Sequence, residues 1–268
     1  LERAQNIAAL LNSGALPVKL TEIYSTSVGA QFGEKALSET VIAGAIGVGL
    51  VLLFMILFYR VPGIVASITL IVYVFVTVFA FNLINGVLTL PGIAALILGV
   101  GMAVDANIIL YERIKEELRI GRKTKAAYQK GAGQSLWTIV DANLTTLIAA
   151  IVLFIFGTSS VKGFATMLLL SIIMSFVTAV FLTRVLMRLL VNSGYLDNKP
   201  GLFGLKQKNI HVISEGVDVQ DLTTAWDKID FAKHANKFFA LSGVLIVAGI
   251  AVLFIFKLNL GIDFTSGT

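Results

Sequence analysis

Six stretches of about twenty mostly apolar residues run through this chain, and nothing else in it constrains the fold as strongly. Twenty residues of helix cover about 30 Å, the thickness of a bilayer's hydrocarbon core. The stretches are Thr40–Tyr59, Val61–Ile84, Leu88–Tyr111, Leu136–Phe156, Gly163–Leu190 and Phe238–Phe256. A soluble domain of 268 residues could not bury them. Hydrophobic residues make up 57% of the chain and charged residues 14%, against roughly 45–50% and about 25% in soluble domains. Mean hydropathy is +0.88. In lipid every backbone polar group must be satisfied internally, so each stretch reads as a helix. The fold expected is an all-α polytopic membrane protein with six spans.

The basic residues set the orientation. Of 21 Lys and Arg, sixteen fall on one side: Arg60, seven between Arg113 and Lys130, Arg184 and Arg188, and six between Lys199 and Lys237. Arg3, Lys19, Lys35, Lys162 and Lys257 fall on the other. By the positive-inside rule the first group is cytoplasmic and both ends of the chain are outside. The net charge of +5 is therefore a topology signal and a surface for anionic lipid, not a nucleic-acid footprint. The chain has no cysteine, and its two histidines, His211 and His234, lie far apart, so nothing calls for a metal or other cofactor.

The spans divide the chain. Residues 1–38 read as the end of an extracellular domain: Leu1, Ala4, Ile7, Ala8 and Leu11 share a helical face, and Pro17–Tyr24 alternates as a strand does. Residues 39–191 hold five spans. Within them the charged segment 112–135 has helical spacing and is expected to lie on the membrane surface as an amphipathic helix, followed by a turn at Gly131–Ser135. Residues 192–236 read as a polar cytoplasmic linker, 237–257 as the sixth span, and 258–268 as the start of a second α+β extracellular domain. The opening residues lack a signal-peptide pattern and an initiator Met, so the chain reads as a piece of something longer.

Two spans each carry an aspartate in the same local context, Val104-Asp105-Ala106-Asn107 and Val140-Asp141-Ala142-Asn143. An ionised carboxylate in hydrocarbon costs about 2.5–3.5 kcal/mol on the mildest insertion scale, so it needs a partner, water or a proton. A carboxyl that takes up and releases protons is the chemistry of a proton relay. Gly99, Gly101, Ala103 and Ala106 surround Asp105 and would let a neighbouring helix come close. Gly101, Asp105 and Glu112 share a helical face. Thr138, Asp141 and Thr145 make a polar stripe whose hydroxyls could bond the carboxyl. For Asp141 a structural bond to a neighbouring helix is as good a reading as a chemical one. Asn107 and Asn143 read as interhelical hydrogen-bond residues. Arg184 and Arg188 read as side chains that snorkel to the surface. Intramembrane aspartyl proteases also place one Asp on each of two helices, but their Gly-x-Gly-Asp run is absent, since Met102 follows Gly101. No nucleotide-binding loop is present.

The run Gly99-Val-Gly-Met-Ala-Val-Asp105-Ala-Asn-Ile-Ile-Leu-Tyr-Glu-Arg-Ile-Lys-Glu-Glu117 resembles the signature of SecD in the SecD/SecF family. Leu11–Leu20, Asp141–Thr146 and Gly157–Ala165 are similar to further SecD motifs. Leu260–Thr268 resembles the segment after the first SecF helix, with Ser266 in place of one of two adjacent glycines. The resemblance covers essentially the whole chain. It implies the middle of a fused SecD–SecF chain, a helical core of the proton-driven resistance–nodulation–division type, in the bacterial plasma membrane. It implies a transport component, not an enzyme, that uses the proton-motive force to help the SecYEG translocon release preproteins outside. Further implied partners are YajC-like and YidC-like membrane proteins. Asp105 takes the proton-relay role and Asp141 a second one, with Gly99, Gly101, Asn107, Asn143 and Thr145 as packing and motif residues. The SecF groups that complete the relay would lie past Thr268. A related exporter of lipids or small molecules with the same core is the alternative, and a passive scaffold for the translocon is a third reading.

Overall fold

The computed structural model describes residues 30–206, 210 and 233–256. The helix expected at 1–12, the strand at 17–24, most of the linker and the final segment 258–268 lie outside the described residues. Six described helices are long and apolar enough to cross a membrane. Five spans belong to one unit, built from α1 (Ala30–Tyr59), α2 (Val61–Leu83), α3 (Leu90–Arg119), α4 (Thr124–Phe156) and α5 (Ser159–Ser175). The fifth span continues through a π-helical stretch, Phe176–Leu182, into α6 (Thr183–Asn192). A short 3-10 turn, Pro200–Phe203, follows. The sixth span, α7 (Ala235–Phe256), belongs to a second unit and is apolar on nearly every face, as a membrane-spanning helix can be.

Within the first unit consecutive spans run antiparallel because their connections are short. Arg60 alone separates α1 from α2, at a φ of 52°, and its Nη1 donates to the Gly201 carbonyl at 2.8 Å. Helix α3 is the hub, packed against α1, α2, α4, α5 and the π stretch. The main core gathers Leu70, Tyr73, Val100, Ala103, Leu110, Tyr111 and Ile114 around it. A smaller cluster of Phe81, Ala95, Met167 and Ile172 fills the end away from the basic residues. Outside these contacts large side chains such as Leu57 and Phe75 are exposed, which suits lipid and not water.

The charged segment 112–135 departs from expectation. It forms no surface helix of its own. Residues 112–119 are the last turns of α3, and 124–135 are the first turns of α4. Glu, Lys and Arg are good helix formers, so α3 runs on past the apolar stretch, aided by the Lys115–Glu112 and Arg113–Glu116 pairs at 2.7 and 2.8 Å. It stops where Gly121 takes a φ of 89° and the Gly121 and Arg122 N–H groups bond back to Leu118 and Glu117. Nor is Gly131–Ser135 a turn. It lies within α4, and a Cβ on Gly131 would sit 2.9 Å from the Ile114 backbone nitrogen, so the glycine lets α4 press directly on α3. Tertiary contact overrides the local turn signal there.

A buried ion cluster locks this hairpin. Glu117 is 1% exposed and forms ion pairs with Arg122 Nε at 2.8 Å and Lys130 Nζ at 3.0 Å. The chain after α6 folds back beneath the same end, burying Leu196, Phe203 and Leu205.

Candidate functional site

Thr89 caps α3 by accepting the Gly92 N–H at 3.1 Å, and Pro91 sits in the first turn, so the helix starts cleanly and carries its side chains in a fixed phase. That phase divides them in two. On the inner side Gly99, Ala103, Asn107 and Tyr111 recur at four-residue intervals, and all are buried. On the outer side Ala94, Leu98, Gly101 and Asp105 form a stripe that no other described part of the chain covers.

Asp105 opens into a cleft of about 90 Å³ between α3 and α4. Met102, Ala106 and Ile109 line it from α3; Ile139, Ala142, Asn143 and Thr146 line it from α4. The Asp105 carboxylate has no ion pair and no side-chain hydrogen bond among the described residues. Asn143 is buried at the cleft's wall and donates from Nδ2 to the Ile139 carbonyl at 2.8 Å, a bond within α4 and not the interhelical one expected. The Thr146 hydroxyl donates to the Ala142 carbonyl at 3.4 Å. The arrangement is a carboxylate at a mouth that something else can reach, beside a small polar wall. Such a group can take a proton or a cationic partner from outside the chain.

The remaining expected residues fall in different places. Asp141 is exposed on α4 and does not line the cleft, so the two aspartates do not share a site among the described residues. Its stripe with Thr138 and Thr145 exists, but the Thr145 hydroxyl donates to the Asp141 backbone carbonyl at 3.2 Å, not to the carboxylate. Gly99 is a packing glycine: a Cβ there would collide with the Tyr73 hydroxyl and lie 2.8 Å from Ser171 Cβ. Gly101 touches nothing within 4 Å of where its Cβ would be. Asn107 is fully buried, and neither of its amide atoms has a hydrogen-bond partner, which departs from the interhelical bond expected.

Arg184 does not snorkel. Its Nη1 donates to the Ala132 carbonyl at 2.6 Å and its Nη2 to Ser135 Oγ at 3.1 Å, while the Tyr128 hydroxyl donates to the Arg184 carbonyl at 2.7 Å. Three bonds tie α6 to α4. A lone Arg near a helix end carries no sequence signal that separates this clamp from a snorkelling side chain. Sequence reasoning also missed Tyr73, Thr77 and Ser171, which meet beside Gly99; the four-residue spacing of Tyr73 and Thr77 in an apolar helix was the available signal.

The family model described as protein export membrane protein SecD/SecF, C-terminal, matches residues 11–193, and the SecD/SecF GG motif model matches residues 251–268. The chain is 58% identical over 266 residues to the protein translocase subunit SecDF of Bacillus subtilis, covering 99% of this chain and 36% of that protein. It is 43% identical over 205 residues to the protein translocase subunit SecD of Acidaminococcus fermentans, covering 76% and 49%. The crystal structure of SecDF, a translocon-associated membrane protein, from Thermus thermophilus superposes with a TM-score of 0.77 at 31% identity, covering 99% of this chain and 34% of that one. The chain thus spans between a third and a half of the length of these relatives.

Proposed function

The chain belongs to the SecD/SecF family of protein-export membrane proteins, and from that premise we propose that it supplies the membrane core of a proton-driven accessory to the Sec translocon. It is a multi-pass protein of the bacterial membrane. Asp105 is the proton-relay group of this reading, loaded from the outer side and unloaded toward the cytoplasm. The observation that carries it is the placement of Asp105: an intramembrane carboxylate without a partner among the described residues, on the uncovered side of an otherwise packed helix.

In this mechanism a second helical bundle, of the kind implied for the SecF half, docks on the open stripe of α3. Ionised Asp105 attracts a cationic or hydrogen-bonding group there; protonated Asp105 releases it. The two bundles rock against each other, as repeats do in alternating-access transporters. Extracellular domains then pass between holding and releasing a preprotein emerging from SecYEG. The basic end of the bundle, carrying Arg60, Arg113–Lys130 and Arg188, faces the cytoplasm in this reading, and both ends of the chain lie outside. Asp141 is a secondary proton group at most, because it lies off the cleft. YajC-like and YidC-like proteins are further candidate neighbours.

The test is Asp105→Asn in a full-length SecDF carrying this membrane segment, with late, proton-motive-force-dependent export of a preprotein scored in inverted vesicles. Loss of the proton-dependent step, with insertion and SecYEG association intact, is the expected result. Unimpaired export would remove the proton role and leave a passive scaffold.

A further inference from the structure

The basic end of the first unit holds a cavity of about 220 Å³, well away from the Asp105 cleft. Three pieces of chain wall it: the end of α3 through Arg122, the start of α4, and the returning segment from Asn198 to Phe203. Leu118 and Phe203, both buried, supply its apolar part. Arg122, Lys123 and Lys199 supply its charge, and no carboxylate is among the described residues that line it.

These walls are fastened from behind. Arg60 Nη1 donates to the Gly201 carbonyl at 2.8 Å and so holds the returning segment, while the Thr124 hydroxyl reaches the Leu196 carbonyl at 3.5 Å. Arg122 is pinned through Nε by Glu117 at 2.8 Å, which leaves the other guanidinium donors over. Glu117 divides one negative charge between Arg122 and Lys130, so positive charge remains beside the cavity. Lys199 rests its ammonium 4.8 Å from the centre of the Tyr195 ring, and Lys123 has no ion pair among the described residues. Three cations around one cavity repel each other, whereas cations that only set topology can spread into water. An anion between them reverses the sign of that interaction.

The last turns of α3, Glu112–Arg119, rise about 12 Å past the apolar stretch. That carries the cavity to the level where headgroups meet water, so membrane-bound and dissolved anions both reach it. We propose that this cavity is a binding site for a phosphate group, carried by a lipid headgroup or by a soluble phosphate compound. The guanidinium of Arg122 offers paired donors to two phosphate oxygens, and the two ammonium groups act as point charges on the rest. The site depends on no proton role for Asp105.

Calorimetric titration of pyrophosphate into a full-length SecDF carrying this segment, in phosphatidylcholine nanodiscs, tests this. Saturable binding is expected, weakened about fivefold or more by Lys123→Gln and by Lys199→Gln, each of which removes one charge-assisted contact. Both lysines are exposed, so the fold should survive their loss. Lys125→Gln removes the same charge from an exposed residue outside the cavity and should change affinity less than about twofold. Absence of saturable binding overturns the proposal. So does unchanged affinity in Lys123→Gln and Lys199→Gln, or an equal loss in Lys125→Gln, which would mean that diffuse positive charge suffices. Short-chain phosphatidylglycerol added as a competitor separates the two sources: displacement of pyrophosphate assigns the site to a headgroup, and its failure assigns the site to a soluble phosphate compound.

Discussion

Asp105 and Asn107 stand two residues apart on α3 and face opposite ways, the carboxylate into an open cleft and the amide into the sealed core. One helix thus separates a group that meets partners from outside the chain from a group that must be satisfied within it. Substitutions at the two positions should therefore fail differently. Asp105 variants should keep the fold and lose coupling, whereas apolar or charged replacements at Asn107 should disturb packing.

The two motif aspartates should not be equivalent. Asp105→Asn is expected to lower proton-dependent export by about tenfold or more, since a single proton-transfer group commonly carries that much. Asp141→Asn, on an exposed face off the cleft, should stay within about twofold, as surface substitutions usually do. Both are read in the same vesicle assay, and equal losses would put Asp141 on the relay as well.

Gly99 and Gly101 should separate in stability. A methyl at Gly99 meets the Tyr73 hydroxyl and Ser171, so Gly99→Ala should cost about 1–3 kcal/mol by overpacking. Tyr73→Phe in the same chain should return part of that cost, and the double-mutant cycle measures how much. Gly101→Ala, with nothing near its Cβ, should stay within about 0.5 kcal/mol. Thermal midpoints in detergent give the comparison.

Which parts of this were legible in the residues follows from what each signal measures. Apolar length located all six spans, because lipid demands it and little else satisfies the demand. The phase of Asp105 relative to Glu112 and Gly101 was legible too, since helical spacing fixes which residues share a face. Gly131 and Arg184 were not. A glycine between polar residues looks the same whether it turns the chain or admits a neighbouring backbone, and only the path of α3 decides which. The orphaned Asn107 amide was misread for the same reason: a polar residue in a span announces that it needs a partner, not where the partner is.

The hairpin lock should be strongly sensitive to charge. Glu117 is almost completely enclosed, while Arg122 and Lys130 are part-exposed and water can solvate them once its charge is gone, so Glu117→Gln should destabilise by about 1–3 kcal/mol. Glu116→Gln, in a more exposed pair with Arg113, should cost less than about 1 kcal/mol. Thermal midpoints of the two variants, measured in parallel, should differ in that order.

Arg184 should not accept lysine. The two guanidinium nitrogens reach two acceptors on α4 at once, a geometry that a single ammonium does not reproduce. Arg184→Lys is expected to lose about 1–3 kcal/mol of stability. Limited trypsinolysis at the α3–α4 hairpin should quicken in step. An unchanged cleavage rate would mean the clamp contributes little.

The glycine at 131 and the sealed carboxylate at 117 have one more consequence, for mechanics. Fastened backbone to backbone and by charge at one end, α3 and α4 form a stiff two-legged frame, and the Asp105 cleft lies between its legs. A frame of this kind transmits a push without absorbing it. The cleft then cannot easily reshape itself to bias its own carboxylate; the bias has to arrive with whatever leans against the frame, and the resulting force leaves along both legs together.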